Sequence, residues 1–269
     1  MTWAKVCGLT RESDVEDAVD AGADALGFVL APGSPRAIDS TRAAALMDGV
    51  PTLRILVTVD TVAGEMSEVV AATGADGIQP HGAYADEAAR WAQAAGLFVL
   101  HPITRRSDGS WHDANIPKGQ IPLLDSATGD EHGGTGRPLE WSRLVPPNRR
   151  FVLAGGLTPD NVATAIEAVN PWGVDASSGL EAAPGIKVTG LCRMMVTEMD
   201  EHFSLYITPI ALDPEKPAMP ISTLLTSCTP SCATAPRRSS GCSTTWNSCG
   251  CAIWASRPRS RSARNSPGT

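Results

Sequence analysis

The chain has 269 residues and a net charge of −7, with 42% apolar and 19% charged residues, the proportions of a soluble globular protein and a length that suits one large domain plus an appendage or two small domains. No apolar run reaches 18 residues and no basic-then-apolar leader opens the chain, so neither a membrane span nor a signal peptide is expected and the cytoplasm is the expected compartment. The charge is unevenly divided: residues 217–269 carry six arginines and no acid, which leaves a body of net charge −13 and excludes a general attraction to nucleic acid or anionic membrane.

The first apolar run, near 3–7, ends in the stretch Lys5-Val6-Cys7-Gly8, a thiol at a strand end. A helix is predicted near 12–21: Ser13 and Glu16 have capping-box spacing, Val15, Ala18 and Val19 share a face, and Gly22 suits the left-handed position that ends a helix. Residues 25–30 are apolar throughout, and glycines at 22, 49, 74 and 96 each close a helix-like segment ahead of an apolar run. Continuous apolar strands alternating with helices point to a parallel sheet with its outer face covered.

Further strands are predicted near 53–59, 77–80, 97–102, 121–125, 151–154 and 173–176. Helices fit near 40–48, 62–72, 84–95, 139–144, 159–169 and 189–199, and 105–118 is polar and loop-like. Eight βα units in about 200 residues are what an α/β fold of the (β/α)₈ TIM-barrel type requires, whereas a doubly wound sheet more often has five or six strands. The expected division is a barrel over 1–204 and a low-complexity, disordered tail over 205–269.

In such a barrel the chemistry lies at the C-terminal strand ends. That places Cys7, Arg36, Gln79, His81 and Asp125 together. Gly155-Gly156 and Asp175-Ala176-Ser177-Ser178-Gly179 follow strands 7 and 8, where glycine-rich loops and helix N-termini commonly hold phosphate. A further glycine cluster around Gly134 is expected to fold over the same pocket. Each residue also has a structural role available to it: core filler for Cys7, turn or cap for Asp125, ion pair for Arg36. Their convergence at one end of the barrel favours a site. The five histidines, His81, His101, His112, His132 and His202, have no paired metal-ligand spacing, so no metal site is expected.

The motifs KVCGLT, GFVLAPGSPRAI, IQPHG, LLDS with GGTG, LAGGLTPDNV and VDASSGLEAAPGIK occur in this order. Together they closely resemble the phosphoribosylanthranilate isomerase family, over about residues 3–199. The resemblance implies a cofactor-free isomerase of tryptophan biosynthesis that converts N-(5′-phosphoribosyl)anthranilate to 1-(2-carboxyphenylamino)-1-deoxyribulose 5-phosphate. It implies Cys7 as general base, Asp125 as general acid, Arg36 at the anthranilate carboxylate and the loops at Gly155-Gly156 and Ser178-Gly179 at the phosphate. Lys5 is assigned to the site, and either its charge or the dipoles of the phosphate loops are expected to lower the pKa of the thiol. The chain departs from the family pattern at Pro80, where leucine is usual, and at Val188, where an acid is usual. The expected partner is the small-molecule substrate, with no nucleic acid or membrane, in a monomer or homodimer. The alternatives are another phosphosugar isomerase or epimerase barrel, and a non-catalytic barrel that binds a phosphorylated ligand.

Eighteen of the 53 residues from 217 onward are Ser or Thr, and Cys228, Cys232, Cys242, Cys249 and Cys251 lack paired CxxC spacing, so a zinc knuckle is not expected there. That composition fits a solvated tail or a frame-shifted reading of a downstream coding region.

Overall fold

The computed structural model describes residues 2–103, 116–125, 141, 144 and 146–206, with side chains as far as residue 199. All of these fall within the unit Met1–Ala211. The expectations for Gly134, for most of 105–118 and of the helix at 139–144, and for the tail beyond 206 lie outside the described residues.

Eight strands, β1 Trp3–Cys7, β2 Ala25–Val29, β3 Leu53–Val59, β4 Gly77–His81, β5 Phe98–Ile103, β6 Ile121–Leu124, β7 Val152–Ala154 and β8 Gly173–Ala176, form a closed barrel in sequence order. All are parallel. Pairing of β1 with β8, through Lys5↔Asp175 and its neighbours, closes the ring. Among the described residues the accompanying helices are α1 Glu12–Ala21, α2 Ser40–Met47, α3 Ala63–Thr73, α4 Ala85–Ala94, α5 Pro159–Val169 and α6 Leu191–Tyr206.

The alternation of side chains along a strand sorts the sequence into two cores. Ala4 and Val6 of β1 join Leu26, Phe28, Leu56 and Val174 in the cluster between sheet and helices. Inside the ring, Ala25, Ile55, Leu100, Leu123 and Val152 pack together. At the N-terminal end of the interior Trp3 stacks on Trp172 and Phe98, with ring centroids 5.1 and 5.9 Å apart. Residues two places further along the inward faces therefore reach the opposite mouth: Cys7 after Lys5, Asp125 after Leu123, Ser177 after Asp175. A barrel interior is filled in layers, and here the upper layer is polar.

Two local expectations are corrected. Ser13 does not cap α1. Arg11 occupies that position without a side-chain cap, because a guanidinium has no acceptor to offer the first-turn N–H groups; it donates instead to Asp14, with Nε–Oδ2 3.0 Å and Nη2–Oδ1 2.6 Å. Gly22 does close the helix in the left-handed conformation, at φ 87°. The segment after β8 also holds more than a phosphate loop: a 3₁₀ turn at Ser178–Leu180 leads into an antiparallel hairpin of β9, Glu181–Ala183, and β10, Ile186–Lys187.

Pro80 is accommodated inside β4. The register with β3 runs through Thr58↔Pro80 to Val59↔His81, while pairing with β5 stops at Ile78↔Val99, ahead of a residue with no N–H to give.

Candidate active site

A cavity of about 440 Å³ opens at the C-terminal mouth of the barrel. Cys7 and Asp125 line it with Gln79, His81 and Arg36, and its remaining wall includes Gly155, Gly156, Asp175, Ser177 and Ser178. Ten of the residues singled out from the sequence therefore share one pocket. Lys5 does not line it; it is 0% exposed and lies beneath. Gly179 does not line it either, because it packs on the backbone of the β7 loop: a Cβ there would stand 2.0 Å from the Leu157 carbonyl oxygen. Asp125 is the first residue beyond β6, where the notional strand was expected to include it.

Lys5 anchors the polar layer. Its ammonium donates to Asp175 Oδ2 at 2.7 Å and to Gln79 Oε1 at 2.9 Å. The Gln79 amide nitrogen lies 3.0 Å from His81 Nε2, so a chain of contacts runs from the floor of the pocket to its rim. Burial works against the charge on Lys5, but Asp175 and the neighbouring Cys7 outweigh it and hold the ammonium above its ordinary pKa. Burial pushes the Asp175 carboxyl up, an effect that Lys5 opposes and nearby Asp125 reinforces. Oδ1 of Asp175 is buried and has no hydrogen-bond partner among the described residues.

The thiol departs from expectation. Burial raises the Cys7 pKa above its ordinary value; Lys5 and Lys187 pull it down and Asp175 pushes it up, and the net direction is upward. A cation adjacent to a thiol lowers its pKa only when its attraction exceeds the cost of desolvating the thiolate, and at a site this dry it does not.

At the opposite rim Gly155 and Gly156 both have positive φ, 95° and 64°. Asn161 in the first turn of α5 holds that loop, donating from Nδ2 to Gly156 O at 3.0 Å and accepting from Thr158 N at 2.8 Å. Arg36 stands between this rim and the hairpin, with Nε and Nη2 on the Glu181 carboxylate at 2.7–3.1 Å. Lys187 donates to the same carboxylate at 2.7 Å and to Ser177 O at 3.0 Å. Burial favours a protonated Glu181, but hydrogen bonds from Arg36 and Lys187 prevail and keep its pKa below the usual value. Two cations share one anion, which leaves a unit of positive charge beside the cavity.

The family model for N-(5′-phosphoribosyl)anthranilate (PRA) isomerase matches residues 4–198. The chain belongs to this isomerase family. N-(5′-phosphoribosyl)anthranilate isomerase of Chromohalobacter salexigens is 43% identical over 74% of this chain and 94% of its own length. That of Rubrobacter xylanophilus is 39% identical over 73% and 98%. A solved phosphoribosyl anthranilate isomerase in complex with reduced 1-(o-carboxyphenylamino)-1-deoxyribulose 5-phosphate is 28% identical, with a TM-score of 0.60 over 75% of this chain and all of that one.

Glu181 and Lys187 were not singled out from the sequence. They are the only charged residues in the stretch between Asp175 and Arg193, and that isolation in a Gly/Ala/Pro-rich loop was the available signal. Gly27 also bears on the pocket floor, through its lack of a side chain. A Cβ there would lie 2.6 Å from Cys7 Sγ and 3.0 Å from Lys5 Cε. Gly27→Ala is therefore expected to displace the thiol, cutting kcat by about 10²-fold, while overpacking costs about 1–3 kcal/mol of stability. Steady-state turnover compared with a thermal melt checks this; an unchanged kcat would place the reacting group elsewhere.

Proposed function

We propose that the chain isomerises N-(5′-phosphoribosyl)anthranilate to 1-(2-carboxyphenylamino)-1-deoxyribulose 5-phosphate in tryptophan biosynthesis, by general acid–base catalysis and as a cytoplasmic enzyme. The observation that carries the reading is a single cavity shared by a buried thiol, a carboxyl, an arginine and two glycine- and serine-bearing loops. The substrate's chemistry has the same parts: a carboxylate, a reacting furanose and a phosphate. The relative solved with the reduced product supports the reading.

In this mechanism Asp125 donates a proton to the ribose ring oxygen as the C1′–O bond breaks, and the anthranilate nitrogen's lone pair forms the iminium. Cys7, as thiolate, removes the C2′ proton, and the electron pair moves into the C1′–C2′ bond to neutralise the iminium. The resulting enolamine relaxes to the ketone as C1′ takes the proton held by the Cys7 thiol and the 2′-hydroxyl gives its proton to the Asp125 carboxylate, which restores both groups. Hydrogen moves from C2′ to C1′ within one molecule, so the step balances without an external oxidant or reductant. Lys5 acts beneath the pocket, where its charge opposes the rise in the thiol's pKa. The unpartnered Oδ1 of Asp175 is suited to accept from a substrate hydroxyl or N–H, which would relieve the cost of an unsatisfied buried acceptor. The phosphate goes to the backbone N–H groups at Gly155-Gly156 and Ser178, which line the cavity, in the manner of barrel loops after strands 7 and 8. Arg36 takes the anthranilate carboxylate, a pairing that suits its planar fork.

Freshly made phosphoribosylanthranilate mixed with the purified full chain should lose its fluorescence at a rate proportional to protein, with inorganic phosphate competing. Phosphate binding with undiminished fluorescence would point instead to a binding protein, and turnover confined to other phosphosugars to a different isomerase or epimerase.

A further inference from the structure

We infer that Glu181 is a positioning residue for substrate recognition: it holds one edge of the Arg36 guanidinium so that the other edge is presented to the carboxylate of the incoming substrate. The inference rests on the reading of Arg36 as the carboxylate-binding residue and adds the group that aims it.

A guanidinium offers two edges to a planar anion, one formed by Nε and Nη2 and one by Nη1 and Nη2. Glu181 occupies the first: Nε lies 2.9 and 3.1 Å from its two oxygens, and Nη2 lies 2.7 Å from Oε2. Nη1 has no partner among the described residues. Arg36 lines the cavity and Glu181 does not, so the carboxylate sits behind the guanidinium, away from the ligand space. Glu181 therefore orients Arg36 without competing for the edge that faces substrate.

Glu181 is itself fixed. Its side chain is 4% exposed, and its cross-strand partner in the hairpin is Lys187, whose ammonium also binds it. The hairpin is tied down in turn: Lys187 N donates to Asp14 Oδ2 at 3.1 Å, Arg11 Nη2 to Lys187 O at 3.2 Å, and Thr10 Oγ1 to Gly185 O at 2.6 Å. An arginine side chain alone would have to give up considerable rotamer freedom on binding a ligand. Anchored this way, much of that cost is met during folding.

An amide at position 181 keeps the shape but loses one acceptor, and it leaves Arg36 and Lys187 as adjacent cations with nothing between them. Steady-state kinetics of wild type, Glu181→Gln, Arg36→Met and the double variant, with the inhibition constant of inorganic phosphate measured for each, test the inference. Glu181→Gln is expected to raise KM for phosphoribosylanthranilate about tenfold, the scale of a charged hydrogen bond. kcat should stay within about twofold, as when binding common to ground and transition states is removed. The phosphate inhibition constant should not move, and in the Arg36→Met background Glu181→Gln should add less than about twofold. An unchanged KM in Glu181→Gln beside a raised KM in Arg36→Met overturns the inference alone. An unchanged KM in Arg36→Met overturns the carboxylate reading as well. A phosphate constant that rises with KM, or effects that multiply in the double variant, marks Glu181 as a general structural residue and also overturns it. If Glu181→Gln does not fold, Glu181→Asp, which withdraws the carboxylate by one methylene, is judged by the same readouts.

Discussion

Replacing Cys7 by Ala or Asp125 by Asn should each reduce kcat by about 10²–10⁴-fold, the usual contribution of a positioned base or acid, while binding of the reduced product survives. The two are expected to fail differently with pH. A base works only when deprotonated, and burial has raised the pKa of Cys7, so in the wild type kcat/KM should climb through the alkaline range with no plateau below about pH 8.5, the ordinary value for a thiol. Asp125→Asn should keep that limb because the thiol remains; Cys7→Ala should lose it. Cys7→Ser is a useful companion, since a hydroxyl preserves size but not acidity, and its profile should be flat where the wild type rises. Stopped-flow or steady-state fluorescence across pH reads all of this. Wild-type turnover in Cys7→Ala, or an alkaline limb that persists without the sulfur, would end the acid–base assignment.

The strands were legible because a parallel barrel buries both faces of its sheet. Runs such as Ala25–Val29 are apolar throughout and end at turn-forming residues, a pattern that few soluble folds share. The mouth of the barrel was legible for a related reason, since Cys7 and Asp125 continue the inward alternation of β1 and β6. The hairpin was not: β9 has three residues and β10 two, too short to show any period, and what stabilises it is contacts with α1 and Arg36 that are distant in sequence. Glu181 lies 145 residues from Arg36, and nothing local marks the pair. Ser13 and Glu16 show the opposite failure, a local pattern with the right spacing in a helix that starts one residue too early for it, at Glu12, which leaves Ser13 inside the first turn. The direction of the Cys7 shift turns on how dry the site is, a property of the assembled barrel and not of the Lys-x-Cys spacing.

Lys5 is the residue whose loss should be felt most widely. Lys5→Met keeps the length and apolar stem but removes an ammonium that is 0% exposed and bonded to both Asp175 and Gln79. Asp175, with Oδ1 already unpartnered, would then have no partner on either oxygen among the described residues, in a dry interior. Breaking a buried pair from one side costs about 3–5 kcal/mol, and at roughly 2–4 °C per kcal/mol for a domain of this size the midpoint should fall by roughly 10 °C. Lys5→Met/Asp175→Asn should recover part of that fall, because the stranded charge is gone; a merely steric defect at position 5 would not respond. The same variant separates the electrostatic role from the structural one. With Lys5 absent, the main attraction opposing the desolvation of the thiolate is lost, so the alkaline limb of kcat/KM should move to higher pH, and activity near neutrality should drop by more than the folded fraction explains. A Lys5→Met protein that melts within about 1 °C of wild type and titrates unchanged would mean that neither Lys5 nor Asp175 carries its charge in the resting enzyme, and the polar layer at the barrel mouth would then be held by neutral hydrogen bonds instead of by charge.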